Sequence, residues 1–256
     1  MPKRKAVRIR NSEYTVPAGG KELSSPLRLA FLSDLHCEDF GNAQSVLMDA
    51  VRAFDPHVIL IGGDAYDERR SWDKANETIS LCAGYRPTYY TPGNHEIKTG
   101  DPEECSRQAV QAGAVLLAGT GAVFSADGNE ILLCGAEDPL RQEEEHKRQM
   151  DACAEECLAH PRLFSVLMSH HPEFIAEYRS HPADLILTGH AHGGQWIFPF
   201  AKNGFLAPQQ GFFPNYTGGE FVWESNRMIV SRGLGNVTPF PRFGNPPELV
   251  CVTIAP

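Results

Sequence analysis

Residues 58–64 read Val-Ile-Leu-Ile-Gly-Gly-Asp, a short apolar run that ends in two glycines and a carboxylate. An apolar run without polar alternation is typical of a strand that is buried on both faces. Asp64 is therefore predicted at the carboxyl end of a buried strand. In open α/β sheets this edge lines the ligand-binding crevice.

Four other predicted strands end in polar side chains in the same way. They are Leu27–Leu32 before Ser33-Asp34-Leu35-His36, Thr88–Thr91 before Gly93-Asn94-His95-Glu96, Phe164–Met168 before Ser169-His170-His171, and Asp184–Thr188 before Gly189-His190-Ala191-His192. Each ending alone is a common turn or helix cap. Together they indicate a site, because unpaired polar groups beside a core are costly. The mixed nitrogen and oxygen donors suit Mn, Fe or Zn better than Ca or a thiolate site.

Helical patterns alternate with these strands along the first two thirds of the chain. Helices are predicted over Asn42–Phe54, Trp72–Ala83 and Leu140–His160, and another begins at the N-cap Asp101. Strand–helix alternation followed by late strands predicts an α/β layered fold with the sheets inside. We divide the chain into a basic N-terminal segment with a lead-in strand, residues 1–25, and one domain, residues 26–256.

The composition, with 42% hydrophobic and 21% charged residues among 256, is that of a soluble globular protein. A net charge of -9 argues against non-specific nucleic-acid binding, which depends on Lys and Arg. The 7 cysteines are odd in number and irregularly spaced, so no disulfide framework is predicted. Free thiols favour a reducing cytoplasm.

The N-terminus is basic, and no apolar stretch follows it of the kind that a secretory signal requires. No run is long enough for a transmembrane helix. We therefore expect a cytoplasmic protein. A solvated tail is the simpler interpretation of the basic residues, although they would also allow weak, salt-sensitive contact with an anionic membrane. They are Lys3, Arg4, Lys5, Arg8 and Arg10.

These motifs, in this order, resemble the signature of the calcineurin-like metallophosphoesterases. The set is Asp34-x-His36, Gly63-Asp64, Gly93-Asn94-His95-Glu96, His170 and Gly189-His190-x-His192. Gly189–Gln195, Ser231–Gly235 and Arg242–Glu248 are similar to the bacterial phosphodiesterase branch that includes YkuE and YaeI. The resemblance covers residues 26–256 and implies a four-layer αββα sandwich of two mixed β-sheets flanked by helices.

The resemblance also implies two divalent metal ions, Mn, Fe or Zn, and a hydroxide between them as the nucleophile. One ion would be held by Asp34, His36 and His192, the other by Asn94, His170 and His190, and Asp64 would bridge both. The family pattern places the ligand first in His170-His171-Pro172, so His170 is chosen over His171. It likewise assigns the bridging role to Asp64 and not to Asp67.

Two further side chains receive roles in substrate chemistry. His95 follows the ligand Asn94, and the resemblance makes it the catalytic proton donor or a stabiliser of phosphoryl charge, beside the catalytic Asp64. The alternative for His95 is a structural helix-cap histidine. Arg232 lies in a glycine-flanked turn and is predicted to reach a phosphate oxygen, whereas an ordinary surface arginine is its alternative.

The segment Trp196–Phe213 is rich in aromatic residues interrupted by Pro and Gly, and it follows the His190 and His192 motif. One interpretation is a small satellite core under a long loop. The other is an apolar lip beside the metals that favours a lipid-like or aromatic leaving group, because long loops are often functional.

The function that these features predict is metal-dependent hydrolysis of a phosphoester, a diester in preference to a monoester. The expected partner is the phosphoester substrate, of lipid-like character, and no specific nucleic acid. The alternatives are a non-catalytic metal-binding scaffold of the same fold, and a nuclease or cyclic-nucleotide phosphodiesterase. A complete ligand set with His95 favours the enzyme over the scaffold.

Overall fold

The structure, a computed structural model, describes residues 8–139, 143–199, 203–236 and 242–256. Lys3, Arg4, Lys5, Leu140 and Phe200 lie outside the described residues. The strands are β1 (Arg10–Pro17), β2 (Leu27–Leu32), β3 (Val58–Gly62), β4 (Thr88–Thr91), β5 (Val115–Leu116), β6 (Thr120–Ala126), β7 (Asn129–Ala136), β8 (Phe164–Ser169), β9 (Leu185–Thr188), β10 (Leu206–Ala207), β11 (Gly211–Phe212), β12 (Gly219–Val222), β13 (Arg227–Val230) and β14 (Glu248–Ala255). The helices are α1 (Ser45–Phe54), α2 (Asp73–Ala83), α3 (Asn94–Lys98), α4 (Pro102–Gln111), α5 (Glu143–Ala159) and α6 (Ile175–Ser180).

The strands form two six-stranded mixed sheets and one short hairpin, β10–β11. The first sheet has the order β1-β14-β2-β3-β4-β5, and its strands β2 to β5 run parallel. The second has the order β12-β13-β9-β8-β7-β6, with β13, β9, β8 and β7 parallel. The lead-in strand β1 pairs parallel to β14, from Arg10 beside Glu248 to Pro17 beside Ala255.

The two sheets pack face to face and helices cover their outer faces. Phe31 and Leu60 from the first sheet share one buried cluster with Leu133 and Leu187 from the second. Helices α1, α2 and α4 pack on the outer face of the first sheet, and α5 and α6 on that of the second. This arrangement confirms the four-layer αββα sandwich. It also explains why every residue of β3 is buried.

The predicted helix over Asn42–Phe54 begins later than its sequence pattern indicates. Residues 42–44 form a 3₁₀ turn with φ values of 49° at Ala43 and 50° at Gln44, and α1 starts at Ser45. The turn buries the Gln44 side chain, whose amide donates to Thr78 Oγ1 and accepts from the Phe40 amide. A tertiary contact therefore overrides the local helical pattern there.

Other features of the described residues follow the sequence pattern. Asp101 caps α4, because its side chain accepts from the Glu104 amide at 3.0 Å. All seven cysteines are buried free thiols, and Cys153 and Cys157 pack in the core beneath the second sheet. Within the described ranges, no helix has both the length and the apolar character that crossing a membrane would need.

Because Phe31 packs between the two sheets, we expect Phe31→Ala to lower the free energy of unfolding strongly. Phe31 is fully buried between the two sheets, and truncation of such a side chain removes about 3–5 kcal/mol from the free energy of unfolding. Urea-induced unfolding measures this loss. Val222→Ala on edge strand β12, where the side chain is exposed, is the control and should cost under about 0.5 kcal/mol. Equal losses in the two variants would contradict this account of the core.

Candidate metal centre

The carboxyl ends of parallel strands from both sheets meet at one edge of the sandwich. The predicted ligand residues follow these ends: Asp34 and His36 after β2, Asp64 after β3, Asn94 after β4, His170 after β8, and His190 and His192 after β9. All are buried. We call these seven residues the ligand cluster.

Asp34, His36 and His192 form a first group whose ligand atoms all lie within 4.8 Å of one another. The Nε2 atoms of His36 and His192 are 3.2 Å apart. Asp34 Oδ1 lies 3.4 Å from His192 Nε2. One carboxylate and two imidazoles facing a common point can hold a divalent cation.

Asp64, His170 and His190 form a second group within the same 4.8 Å limit. Asp64 Oδ2 lies 3.0 Å from His170 Nε2 and 3.7 Å from His36 Nε2, which belongs to the first group. The other oxygen, Oδ1, accepts from the His95 amide at 2.8 Å. One carboxylate oxygen of Asp64 therefore faces both groups at once.

Asn94 is the least satisfied polar side chain of the ligand cluster. Neither its Oδ1 nor its Nδ2 has a hydrogen-bond partner among the residues that the structure describes, although the side chain is only 1% exposed. Burying an unpaired amide costs about 1–3 kcal/mol. An unpartnered oxygen next to Asp64 is the arrangement expected of a group that binds a ligand or ion.

Both histidines of the second group are oriented by an oxygen on one ring nitrogen. His170 Nδ1 is 3.1 Å from the Gly62 carbonyl, and His190 Nε2 bonds Gln209 Oε1. Because each oxygen accepts the proton of one ring nitrogen, the opposite nitrogen is the one that can bind a metal ion once it is deprotonated. Oxygen partners of this kind are the usual support of metal-binding histidines.

The backbone at the ligand cluster is unusually strained. The φ values are positive at Asp34 (55°), His36 (46°), Asp64 (55°), His190 (63°) and His192 (47°). Left-handed conformations of residues other than glycine cost about 1–3 kcal/mol each, and they concentrate at functional sites. The strand ends therefore turn sharply enough to aim these side chains into one space.

Charge interactions dominate the protonation of the cluster. Burial opposes ionisation of Asp64, yet His170 and His36 hold the pKa of this carboxyl well below its usual range. Burial would lower the pKa of His170, but Asp64 and Asp34 outweigh it and raise that pKa to about 10. Burial and the neighbouring His171 and His170 lower the pKa of His190 to about 4. The carboxylates are thus ionised and draw cationic partners.

Glu96 supports the cluster by accepting hydrogen bonds from backbone amides next to it. The sequence gave no sign of this role. Its Oε2 accepts from the amides of Asp64 at 3.1 Å and Gly93 at 2.8 Å, and its Oε1 accepts from Tyr66 at 3.0 Å. Burial, and then the charge of Asp64, raise the pKa of Glu96. This side chain ties the loop after β3 to the start of α3.

His95 lies beside the first group with its ring largely buried. Its ring contacts that of His36 edge to face at 4.6 Å between centroids. Nδ1 is 2.7 Å from Glu68 Oε2 and 3.7 Å from Asp67 Oδ2. His36, Asp67 and His95 also form a group of the metal-binding kind. Glu68 fixes the ring of His95, although its place in the sequence gave no sign of this role.

His171 has its own carboxylate partners. Its Nε2 is 2.6 Å from Asp138 Oδ2 and its Nδ1 is 2.8 Å from Glu173 Oε1. Burial lowers the pKa of His171, but these two acids outweigh it and raise that pKa. The ring stacks on His190 at 3.7 Å, and His171, Glu173 and His190 form a further possible ligand group.

The structure does not bring Arg232 to the ligand cluster. Its Nε is 3.8 Å from Glu248 Oε1, and it lines a small depression with residues of β1. Arg242 lies at the cluster instead, with Nη2 3.2 Å from His192 Nδ1. Burial lowers the pKa of Arg242 to about 10. Sequence spacing alone gave no sign of which arginine points inward.

A sequence profile of the calcineurin-like phosphoesterases matches residues 27–194. The chain therefore belongs to the calcineurin-like phosphoesterase family, whose members are hydrolases that use divalent metals. It is 25% identical over 224 residues to the phosphodiesterase YaeI of Escherichia coli, covering 85% of this chain and 78% of YaeI. It is 25% identical over 235 residues to the uncharacterised metallophosphoesterase YkuE of Bacillus subtilis, covering 89% of this chain and 78% of YkuE.

A solved structure supports the fold independently. The NAD nucleotidase NadN of Haemophilus influenzae superposes with a TM-score of 0.54 at 15% identity, covering 81% of this chain and 50% of that one. At this identity the similarity concerns the fold alone. The sequence-based recognition of the family and of the αββα sandwich is thus confirmed.

Close packing beside Asp34 predicts that Gly189→Ala is destabilising. A Cβ at this position would overlap Ser33 Oγ and lie 2.6 Å from Asp34 Oδ2. Displacing these buried groups should cost about 1–3 kcal/mol of unfolding free energy. Thermal unfolding of the metal-free protein measures the loss.

The matched control for Gly189→Ala is Gly84→Ala. Gly84 caps α2 at a φ of -71°, and the nearest atom to an added Cβ is 3.2 Å away. Its replacement should be close to neutral, because alanine accepts this conformation. If both variants unfold at the wild-type temperature, the cluster is looser than the packing indicates.

Proposed function

We propose that this protein hydrolyses a phosphodiester with two divalent ions, Mn, Fe or Zn, in the ligand cluster. The observation that carries the proposal is Asp64 Oδ2, which faces His170 Nε2 at 3.0 Å and His36 Nε2 at 3.7 Å. A shared carboxylate offsets the repulsion between two nearby dications. One ion would be held by Asp34, His36 and His192, the other by Asn94, His170 and His190, with Asp64 common to both.

The donor set fits such ions. Imidazole nitrogens with carboxylate and amide oxygens suit Mn, Fe and Zn, and the unpaired Asn94 oxygen gains a partner. When bound, the ions polarise the phosphate and activate the attacking water. The protein's own part is to hold the cluster rigid through Glu96 and through the backbone amide of His95.

His95 is proposed as the proton donor to the departing oxygen. Glu68 accepts from its Nδ1 at 2.7 Å, which fixes the ring and leaves Nε2 as the nitrogen that would give the proton. Lys98 Nζ lies 3.3 Å from this Nε2, where its ammonium would donate to the ring, so proton transfer to the substrate requires the Lys98 side chain to move away. The ring contacts His36 and so lies beside the first group. A positioned histidine of this kind favours an enzyme over a non-catalytic scaffold, which has no use for one.

The preference for a diester rests on the similarity to YaeI, which is named a phosphodiesterase. A substrate panel on metal-reconstituted protein tests it, with bis-p-nitrophenyl phosphate, p-nitrophenyl phosphate, cyclic nucleotides and a glycerophospholipid diester. Faster turnover of p-nitrophenyl phosphate than of the diesters would overturn the preference. We also propose a cytoplasmic location, which the seven free thiols support.

The number of bound metal ions per chain should correspond to the two ligand groups. Wild-type protein is expected to retain two divalent ions per chain by elemental analysis after mild purification. Asp64→Asn should weaken both sites because its oxygen faces both groups, whereas His170→Ala should affect mainly the second. The control His160→Gln, at a partly exposed residue directly after α5, should retain both. Less than one ion in the wild type, with no activity regained on adding Mn²⁺, would refute the two-metal proposal.

Loss of His95 should separate catalysis from metal binding. His95→Gln is expected to keep both ions and the fold while turnover falls about 10²–10⁴-fold, the usual worth of general acid help. The loss should be larger for an alkyl leaving group than for p-nitrophenolate, which departs without a proton. Steady-state kinetics on paired diesters measures this difference. An equal loss for both leaving groups would remove the acid role from His95.

A further inference from the structure

Aromatic side chains form an exposed surface on the segments that follow β9 and precede β14. We call Phe198, Phe205, Leu206, Phe212, Phe213 and Phe243 the aromatic platform. Phe205 contacts Phe212 and Phe213 with ring centroids 5.3 Å apart, and Phe198 links Phe205 at 5.8 Å to Phe243 at 6.4 Å. Phe212 is 66% exposed and Phe213 76%. The segment Trp196–Phe213, for which a satellite core and an apolar lip were both considered, is thus open to solvent on one side.

The platform differs from the other apolar side chains on the surface. Elsewhere on the described surface the exposed large apolar residues are aliphatic, such as Leu158 and Val110, whereas every exposed phenylalanine lies in the platform. Single exposed apolar residues need no explanation, but a contiguous patch indicates a binding surface.

The chain segments that carry the platform contact the ligand cluster at two residues, His190 and His192. Gln209, in the turn of hairpin β10–β11, bonds His190 Nε2. Arg242, next to Phe243, has Nη2 3.2 Å from His192 Nδ1. Asn245 on the same segment donates to the His192 carbonyl at 2.7 Å. The two chain segments that carry the exposed rings therefore also contact two candidate metal ligands.

This continuity restricts what can cover the platform. A molecule that lies on the exposed rings and also reaches the cluster must carry an apolar part joined to a phosphoester. A second copy of this chain could cover the rings by lying against the segments that contact His190 and His192. It would not bring a phosphoester to the cluster. A net charge of -9 also gives no general attraction to an anionic surface, so contact must rest on the apolar rings.

We propose that the aromatic platform contacts the hydrocarbon of a phospholipid-type substrate in a lipid surface while its phosphoester lies at the metal centre. This inference rests on the proposed function and names its substrate class. Phenylalanine and leucine side chains commonly form the apolar face of segments that lie at the boundary between lipid headgroups and hydrocarbon. The enzyme would therefore work on lipid assembled in a membrane or micelle.

Vesicle binding tests the platform without any catalysis. Metal-free full-length protein is sedimented with phosphatidylcholine vesicles, and Trp fluorescence is followed in parallel. Phe212→Ser/Phe213→Ser should weaken vesicle partition about 10–100-fold, since each buried ring contributes about a factor of ten. Phe198→Ser/Phe243→Ser should act in the same direction. Leu158→Ser, which removes an exposed leucine from α5, is the control and should bind as wild type does.

The salt dependence separates the platform from the basic N-terminus. Apolar contact should persist in 1 M NaCl, where the Debye length is about 3 Å. Release of the wild type by salt would assign any binding to the N-terminal charges and overturn the proposal. Platform variants that bind as wild type does, or a dimer that only these variants abolish, would also overturn it.

Kinetics distinguishes failure of this inference from failure of the proposed function. With metal-loaded protein, kcat/KM is measured for a long-chain phospholipid in vesicles and for bis-p-nitrophenyl phosphate. The ratio of the two should fall about 10–100-fold in each platform variant and stay constant in Leu158→Ser. An unchanged ratio with an active wild type overturns the platform alone. A wild type that binds vesicles but hydrolyses neither substrate instead overturns the proposed function.

Discussion

Two carboxylates, Asp34 and Asp64, are buried at the ligand cluster, and the charge of Asp64 disfavours ionisation of Asp34. Such a pair is stable in its charged form only if cations surround it. His170 meets this need, because its pKa is raised to about 10 and its Nε2 lies 3.8 Å from Asp34 Oδ1 and 3.0 Å from Asp64 Oδ2. The meeting of the two sheets at this edge thus depends on charge compensation as well as on the apolar core. A divalent cation bound between the groups would supply the same compensation in place of the proton on His170.

The neighbouring backbone is built to hold this pair in place. Sharp left-handed turns at Asp34 and Asp64 cost free energy that the stacked sheets must supply. Glu96 recovers part of it by accepting three amide protons from the loops after β3 and β4. A buried carboxylate that accepts from backbone amides of two loops adds rigidity without occupying the space where ligands bind. Rigid support of this kind is what a site needs to bind charge without rearranging.

The sequence predicted the strand ends well because each buried strand is a continuous apolar run that stops at a polar motif, as in Val58–Gly62 before Asp64. It could not predict side chains whose role depends on where a loop folds back. Gln209 is 19 residues from His190 and Arg242 is 50 from His192, both in segments without periodicity. Arg232 and Arg242 have the same chemistry, and only the path of the chain decides which one reaches the cluster. The late start of α1 has the same origin, a tertiary contact of Gln44.

The chain is acidic, yet its proposed substrate is an anionic phosphoester. The two facts are compatible because most of the negative charge is far from the site. Surface carboxylates are screened beyond about 8 Å at physiological salt, so the net charge of -9 has little influence inside the crevice. There the nearby charges are those of the cluster, of Asp67 and Glu68 beside its first group, and of the partly buried Arg242, whose guanidinium contacts His192. Bound divalent ions would add positive charge where the phosphate arrives. Attraction to substrate is thus local, and the phosphoester and the apolar part of a substrate can be recognised by adjacent but different surfaces.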